Sequence, residues 1–452
     1  MTSPSVRRDA LKALGATLAA GGLSGCGGGL FGLFSGNSNK QILPGTRISV
    51  LALERELRPD IQSTDTPIVL PQPEDTDNWP QAGGLSHHAM HHMVIGANPK
   101  LGWRTNIGFS SGKRNRNLAA PIVANGRVFA ITGKSVVEAF DATTGKRVWS
   151  KKTAPKNEDD GSFLGGGLAF EDGRLFATGG FAQVVALDPA NGREIWRADV
   201  EAPIHSAPTV NGGRVFAVTL ENQVIAHAAT TGKNLWTYSG ASAPTVLLGG
   251  AAPAVDGGVV IAPFTNGELS ALRVDNGAAL WNETVVAFRR TEAAASLPDI
   301  AARPAIDRGR VYAVGHSGIL VAFDLRTGQR VWEAPVAGTY EPWVAGDFLF
   351  VITLDSELVC VDLRSGRILW VTQLQRFEDE KDRKGRIVWA GPALASDRLI
   401  VVGSHEEALA VSPYTGDVLS RLKLASSATL APVFAKSTMY LLNDEGDLSA
   451  YR

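Results

Sequence analysis

The sequence predicts an all-β fold: an eight-bladed β-propeller of four-stranded antiparallel blades, its ring closed by an N-terminal strand that completes the C-terminal blade. Three observations carry this expectation. A glycine-turn motif recurs seven times, as "AFDATTGKRVW", "ALDPANGREIW", "AHAATTGKNLW", "ALRVDNGAALW", "AFDLRTGQRVW", "CVDLRSGRILW" and "AVSPYTGDVLS". Each copy has an upstream landmark, a proline in all but the Leu168 copy, at a constant 24 residues from its glycine, as Gly145 follows Pro121 and Gly416 follows Pro392. An eighth landmark, Pro432, opens a copy that reaches Arg452 before its glycine turn.

Within a copy the pattern is four short strands. The first reads "APIVA–NG–RVFAIT–GK–SVVEAFD–ATTG–KRVW", with β-branched and aromatic residues in the strands and Gly, Asn and Asp at the turns. The landmark prolines open first strands, where a missing ladder N–H is tolerated. A small residue sits six before each glycine: Ala139, Ala186, Ala226, Ala271, Ala322, Cys360 and Ala410. Four after it stands Trp149, Trp196, Trp236, Trp281, Trp332 or Trp370, and in the last copy Ser420. The glycines recur every 38 to 51 residues, and all of that variation falls between a Trp strand and the next landmark. Four strands repeated at such a period is the signature of propeller blades.

The eighth copy lacks its fourth strand, and "KLGWRTNIG" supplies one: Trp103 lies 18 residues before Pro121, within the inter-blade spacings. Closure through residues ~101–107 removes the exposed edges of an open ring. Seven of the ten tryptophans then share one repeated site, which makes inter-blade packing their role. Cys360 stands in register with alanines and reads as a buried packing thiol.

The N-terminus reads as an export signal over 1–25. Arg7–Arg8 precede the mildly apolar "ALGATLAAGGLSG", and "LSGC" resembles the bacterial lipoprotein box, in which Cys26 would be lipidated. "RRDALK" is similar to a twin-arginine signal with Ala10 where a bulky residue is preferred, so both export routes stay open. Residues 26–100 read as a tether, over ~27–78 with a partly ordered segment, and an N-terminal extension; 101–452 read as the propeller. A net charge of −1 gives no argument for nucleic acid, and two cysteines exclude a disulfide framework. The basic "GKRNRN" (112–117) is short and without aromatics, and "RFEDEKDRKGR" (376–386) reads as a solvated inter-blade loop.

Half of the eight histidines form "HHAMHHM": His87, His88, His91 and His92. On a helix the i,i+4 pairs would point two imidazoles at one metal. In a docked extension they would be ordinary packing, the reading favoured by the absence of neighbouring Cys or carboxylates.

These blades resemble the PQQ-like, or tryptophan-docking, propeller repeats. Eight of them behind a lipoprotein signal resemble the BamB family of the outer-membrane β-barrel assembly machinery, and the preceding stretch is similar to the extension of alphaproteobacterial members. The resemblance implies a non-catalytic, cofactor-free scaffold, lipid-anchored in the outer membrane and facing the periplasm. Its partners would be a BamA-type barrel assembly protein and nascent outer-membrane proteins. Gly27 is not the inner-membrane retention Asp of enterobacterial lipoproteins, which fits that location. In the family two loops contact BamA. "SLPDIAARP" (296–304) aligns with the Leu-Ser-Asp-Val-Asp stretch, so Asp299 matches an acidic contact while Ala301 replaces the second Asp. "WTYSGASAPT" (236–245) aligns with the loop carrying Leu-x-Leu-Arg, and Tyr238 and Ser239 stand there without the Arg. The alternatives are a PQQ-dependent dehydrogenase-like enzyme or sensor, or another periplasmic interaction propeller. Quinoprotein alcohol dehydrogenases of this resemblance carry a vicinal Cys–Cys, a Ca²⁺ site and a catalytic Asp; this chain has no Cys–Cys and no D-x-D-x-D-G run.

Overall fold

The computed structural model describes residues 57–60, 67–108, 119–155, 165–242, 250–286, 300–443 and 445–452. Among these the regular elements are all strands, arranged as eight four-stranded antiparallel sheets and one two-stranded hairpin. Blade 8 draws its outermost strand, β1 (Leu101–Asn106), from the N-terminal side of the ring. Blade 1 is β2 (Ile122–Ala124), β3 (Arg127–Ile131), β4 (Val136–Asp141) and β5 (Arg147–Lys152), hydrogen-bonded in that order from the ring axis outward. The next six copies repeat this order, and the eighth, from Val433, ends at Tyr451. The expected closure is present: β1 pairs antiparallel with Asp447–Tyr451, Trp103 opposite Ala450, and the ladder continues through paired bonds between Lys100 and Arg452.

Burial follows from position in the blade. The first three strands are sandwiched between neighbouring blades and read as short continuous apolar runs, such as "IVA" and "RVFAI". The fourth is half solvated: "RVWSKK" in β5 alternates charged residues with the one Trp that turns inward. The turn before it is built locally. Asp141 Oδ1 accepts from the Thr143 and Thr144 amides and from Thr144 Oγ1, and these hydrogen bonds hold its carboxyl below the usual range.

The contact that joins blades is the same at seven seams. Trp149 lies opposite Ala139 within its blade, and its Nε1 donates to Pro189 O of the next blade at 2.9 Å. Its ring covers Gly192, where a Cβ would come within 2.7 Å of the indole. Trp103, Trp196, Trp236, Trp281, Trp332 and Trp370 do the same over Gly145, Gly232, Gly277, Gly328, Gly366 and Gly416. Each also donates to the carbonyl three residues before that glycine, from Ala142 O to Pro413 O. The glycine is required twice over, since its φ of 70–79° at these turns lies in the left-handed region. At the blade 7–8 seam Ser420 replaces the Trp.

Cys360 is buried opposite Trp370, in the register its alanine counterparts occupy. The charged run 376–386 differs from the loop expected of it: Phe377–Asp379 pairs with Lys384–Arg386 as an exposed hairpin. Its base is tied down by Trp389 Nε1 to Gln375 O and by the Arg376–Asp355 ion pair, which the charge pattern did not reveal.

Truncating the Trp at one seam tests the lock. Trp236→Ala removes a buried indole and its hydrogen bond, an expected loss of about 3–5 kcal/mol in urea unfolding. Gly277→Ala is destabilising in the native chain because of both φ and the 2.6 Å approach to Trp236. In the Trp236→Ala background only the φ cost remains, so the double mutant falls short of the sum of the singles.

Candidate docking surfaces

A propeller offers a partner its axial channel, its loop rim, or its outer seams. The channel here is filled by the chain itself. Residues 74–93 run once around the axis and bond to every blade in ring order. Asp75 accepts from the Ser437 amide and hydroxyl, and Thr76 O from the Lys436 amide, in blade 8. Trp79 exchanges both backbone bonds with Val123 of blade 1, and Pro80 O accepts from Phe170 N of blade 2. The Gln81 side chain imitates a strand against Val210 of blade 3, accepting at 2.8 Å and donating at 3.3 Å. Ser86 O accepts from Val255 N of blade 4 and His87 O from Ile306 N of blade 5. Trp343 Nε1 of blade 6 donates to His91 O, and Met93 brackets Leu394 and Ser396 of blade 7. The circuit then meets its own beginning, where Glu74 N donates to His92 O. Innermost blade strands carry unpaired edges, and this segment supplies their partners.

The axis itself is occupied by aromatic rings. Trp79 stacks on Trp343 at 6.3 Å and tilts against Phe434. On one side of them is a small cup of about 40 Å³ lined by Arg303, Tyr340, Glu341 and Pro392. Arg303 pairs with Glu341 at 2.8 Å, while burial raises the Glu341 carboxyl. Gly83 permits the tight turn beneath them: its φ is 75°, and a Cβ would meet His88 at 2.6 Å and Glu341 at 2.9 Å.

The four histidines take separate partners in this circuit. The segment is not helical, and His88 and His91 have φ of 61° and 53°, so the i,i+4 geometry for a shared metal does not arise. His88 Nδ1 lies 2.8 Å from Pro304 O, which can only accept, so Nδ1 carries the proton. His92 donates from Nδ1 to Pro71 O and accepts the Asp397 amide at Nε2. His87 Nδ1 accepts from Ala89 N, and His91 Nε2 lies 3.6 Å from Asp307. Sequence reasoning anticipated packing but not this circuit. The signals available were three tryptophans outside the repeated seam position, Trp79, Trp343 and Trp389, and the Gly83–Gly84 pair.

Of the sequence-derived contact residues, Tyr238 and Ser239 end the strand Asn234–Ser239, the outermost of blade 3. Ser239 is exposed; Tyr238 is half-buried, stacked on Phe264 at 6.4 Å with its hydroxyl 3.4 Å from Asn282. They stand where the connection to blade 4 leaves the rim. Asp299 and Cys26 lie outside the described residues.

Burial drives the His88 imidazole down to about 3, with the Arg303 charge adding to the effect. An unfolded chain with an ordinary imidazole near 6.5 takes up a proton that the folded chain refuses. This group's contribution is thus complete above about pH 6.5 and is lost as pH falls toward 3, by roughly 1 kcal/mol per pH unit. Urea unfolding of the native chain between pH 7 and pH 4.5 should show a steeper loss than His88→Asn, which has nothing to titrate there.

Comparison with known proteins bears on which partner such a ring serves. A family model described as outer membrane protein assembly factor BamB matches residues 95–163 and 133–372. The BamB of Burkholderia pseudomallei is 29% identical over 348 residues, 76% of this chain and 86% of that protein. The crystal structure of BamB from Moraxella catarrhalis superposes with a TM-score of 0.66 at 18% identity, covering 78% of this chain and 100% of that one. A europium-containing methanol dehydrogenase superposes nearly as well, TM-score 0.64 at 15% identity, covering 81% of this chain and 89% of that one. The superpositions share the ring between assembly factor and enzyme, and the sequence match separates them: this chain belongs to the family of outer membrane protein assembly factor BamB.

Proposed function

We propose that the chain is a non-catalytic scaffold subunit of the outer-membrane β-barrel assembly machinery. Anchored by lipid at Cys26 and facing the periplasm, it docks a BamA-type protein and assists nascent outer-membrane proteins to fold and insert. The family match supports the process, and the filled channel supports the mode of action. With Trp79 and the circuit 74–93 on the axis, the chain's own backbone and indole occupy the place where an axial cofactor would bind. The sequence also lacks the vicinal cysteines of the quinoprotein dehydrogenases. Recognition then falls to the rim, where loop length varies over a rigid frame. Ser239 and Tyr238, at the end of their strand, and the sequence-matched Asp299 are the proposed contact residues.

A mild-detergent pull-down of the tagged, lipidated protein from its own envelope tests this reading. BamA and its companions should co-purify, and Ser239→Arg and Asp299→Arg should each reduce BamA recovery several-fold without changing the melting temperature. A BamA preparation that retains its other partners but not this chain would sink the proposal. Turnover of an alcohol with added PQQ, Ca²⁺ and a dye acceptor would overturn the non-catalytic part.

A further inference from the structure

Among the described residues, seven inter-blade seams are filled by an indole and the eighth is open. Ser420 pairs with Ala410 in the register where Trp149 pairs with Ala139. The receiving side has changed as well. Blade 8 takes its outermost strand from β1, entered through residues 95–100, so no glycine turn stands where the other blades present one. The result is measurable in the core. Ala410 is 7% exposed, whereas its seven register mates from Ala139 to Ala450, Cys360 among them, are at 0%. Ile400 is also 7% exposed, against 0–3% for Phe129, Phe176, Phe216, Ile261, Tyr312, Phe350 and Tyr440 in the same position. A cleft of about 310 Å³ opens over them.

The cleft's chemistry points to its occupant. Ile400, Ala410, Leu422 and Met439 form an apolar wall, and Lys100, Arg398 and Arg421 line it with positive charge. Arg398 is held in place by donating to Gly96 O and Ala97 O, which fixes its charge at the site. Arg421, itself exposed, meets the half-buried Glu407 at 2.7 Å, and an ion pair with one partner in solvent is worth little and leaves the guanidinium able to take a second carboxylate. A volume of this order accepts a large aromatic group, and the fold already uses an indole in this register seven times. We propose that the blade 7–8 seam receives an aromatic side chain, tryptophan above all, from an acidic segment of a partner polypeptide. The partner thereby supplies in trans the lock that Ser420 omits. The chain's own segment 27–56 offers Phe31 and Phe34, but no carboxylate near either, and so does not match the cations. The proposal does not depend on which assembly protein docks at the rim.

The test titrates the full chain into a peptide carrying fluorescein on its N-terminus, fluoresceinyl-Asp-Glu-Asp-Trp-Asp-Gly-amide, and follows anisotropy. Saturable binding is expected, weakened about tenfold or more when the peptide Trp is replaced by Ala, and weakened by added salt. Ser420→Trp fills the seam from within and should abolish binding while raising the melting temperature. Ile400→Phe fills the same space from the opposite wall, with the residue blades 1, 2, 3 and 6 already carry there, and should also weaken binding. No saturable binding to the native chain, or equal binding to Ser420→Trp and Ile400→Phe, overturns the proposal. So does tighter peptide binding after deletion of 27–56, which would assign the seam to the chain's own segment. A native dimer that Ser420→Trp converts to monomer in sedimentation would assign it to a second copy, and likewise overturns a separate partner.

Discussion

The ring depends on an indole lying flat over a glycine of the next blade. The tryptophan must leave its own strand inward, over a small residue such as Ala139, and the glycine must lack a Cβ that would strike the ring within 3 Å. Each half of the contact belongs to a different blade, so each blade depends on its neighbours for stability. The constant 24 residues between landmark and glycine follow from this geometry. Both points must sit at fixed places in a blade for successive seams to match, whereas chain between the fourth strand and the next blade is free to vary.

A second closure lies inside the first. The strand-to-strand closure by β1 joins blade 8 to blade 1 at the circumference, while residues 74–93 tie all eight blades at the axis. The net gain per backbone bond is only about 0.5–1.5 kcal/mol, but the alternative is a ring of unpaired groups around a narrow channel. Filling the axis also decides where function resides. With aromatic rings across the channel, the surfaces left to a partner are the rim and the outer seams, and these differ from blade to blade while the frame does not.

Much of the fold was legible in the sequence because the repeat is enforced by packing. Small residue, tryptophan and glycine recur as a set since Trp149 needs Ala139 beneath it in its own blade and Gly192 in the next, and the incomplete last copy pointed to residues ~101–107 as its missing strand. The functional surface was less legible. Tyr238 came from a family alignment, and the structure shows it also stacking on Phe264, a role its position in the alignment did not contain. The histidine cluster carried two readings until tertiary contacts chose between them. A helical period would have been needed for metal geometry, and left-handed φ at His88 and His91 removes it.

The sequence alone determined the number of blades, their register, the way the ring closes and the single seam that breaks the pattern, because each is a local pattern repeated at fixed spacing. Only the tertiary structure decided what residues 67–100 do and what the missing tryptophan leaves behind. The first depends on contacts between His88 and Pro304 or Met93 and Leu394, hundreds of residues apart and without a repeat to betray them. The second depends on space: Ser420 is a one-letter exception in the sequence, and becomes an open seam only where blade 8 also lacks the glycine turn that would have covered it.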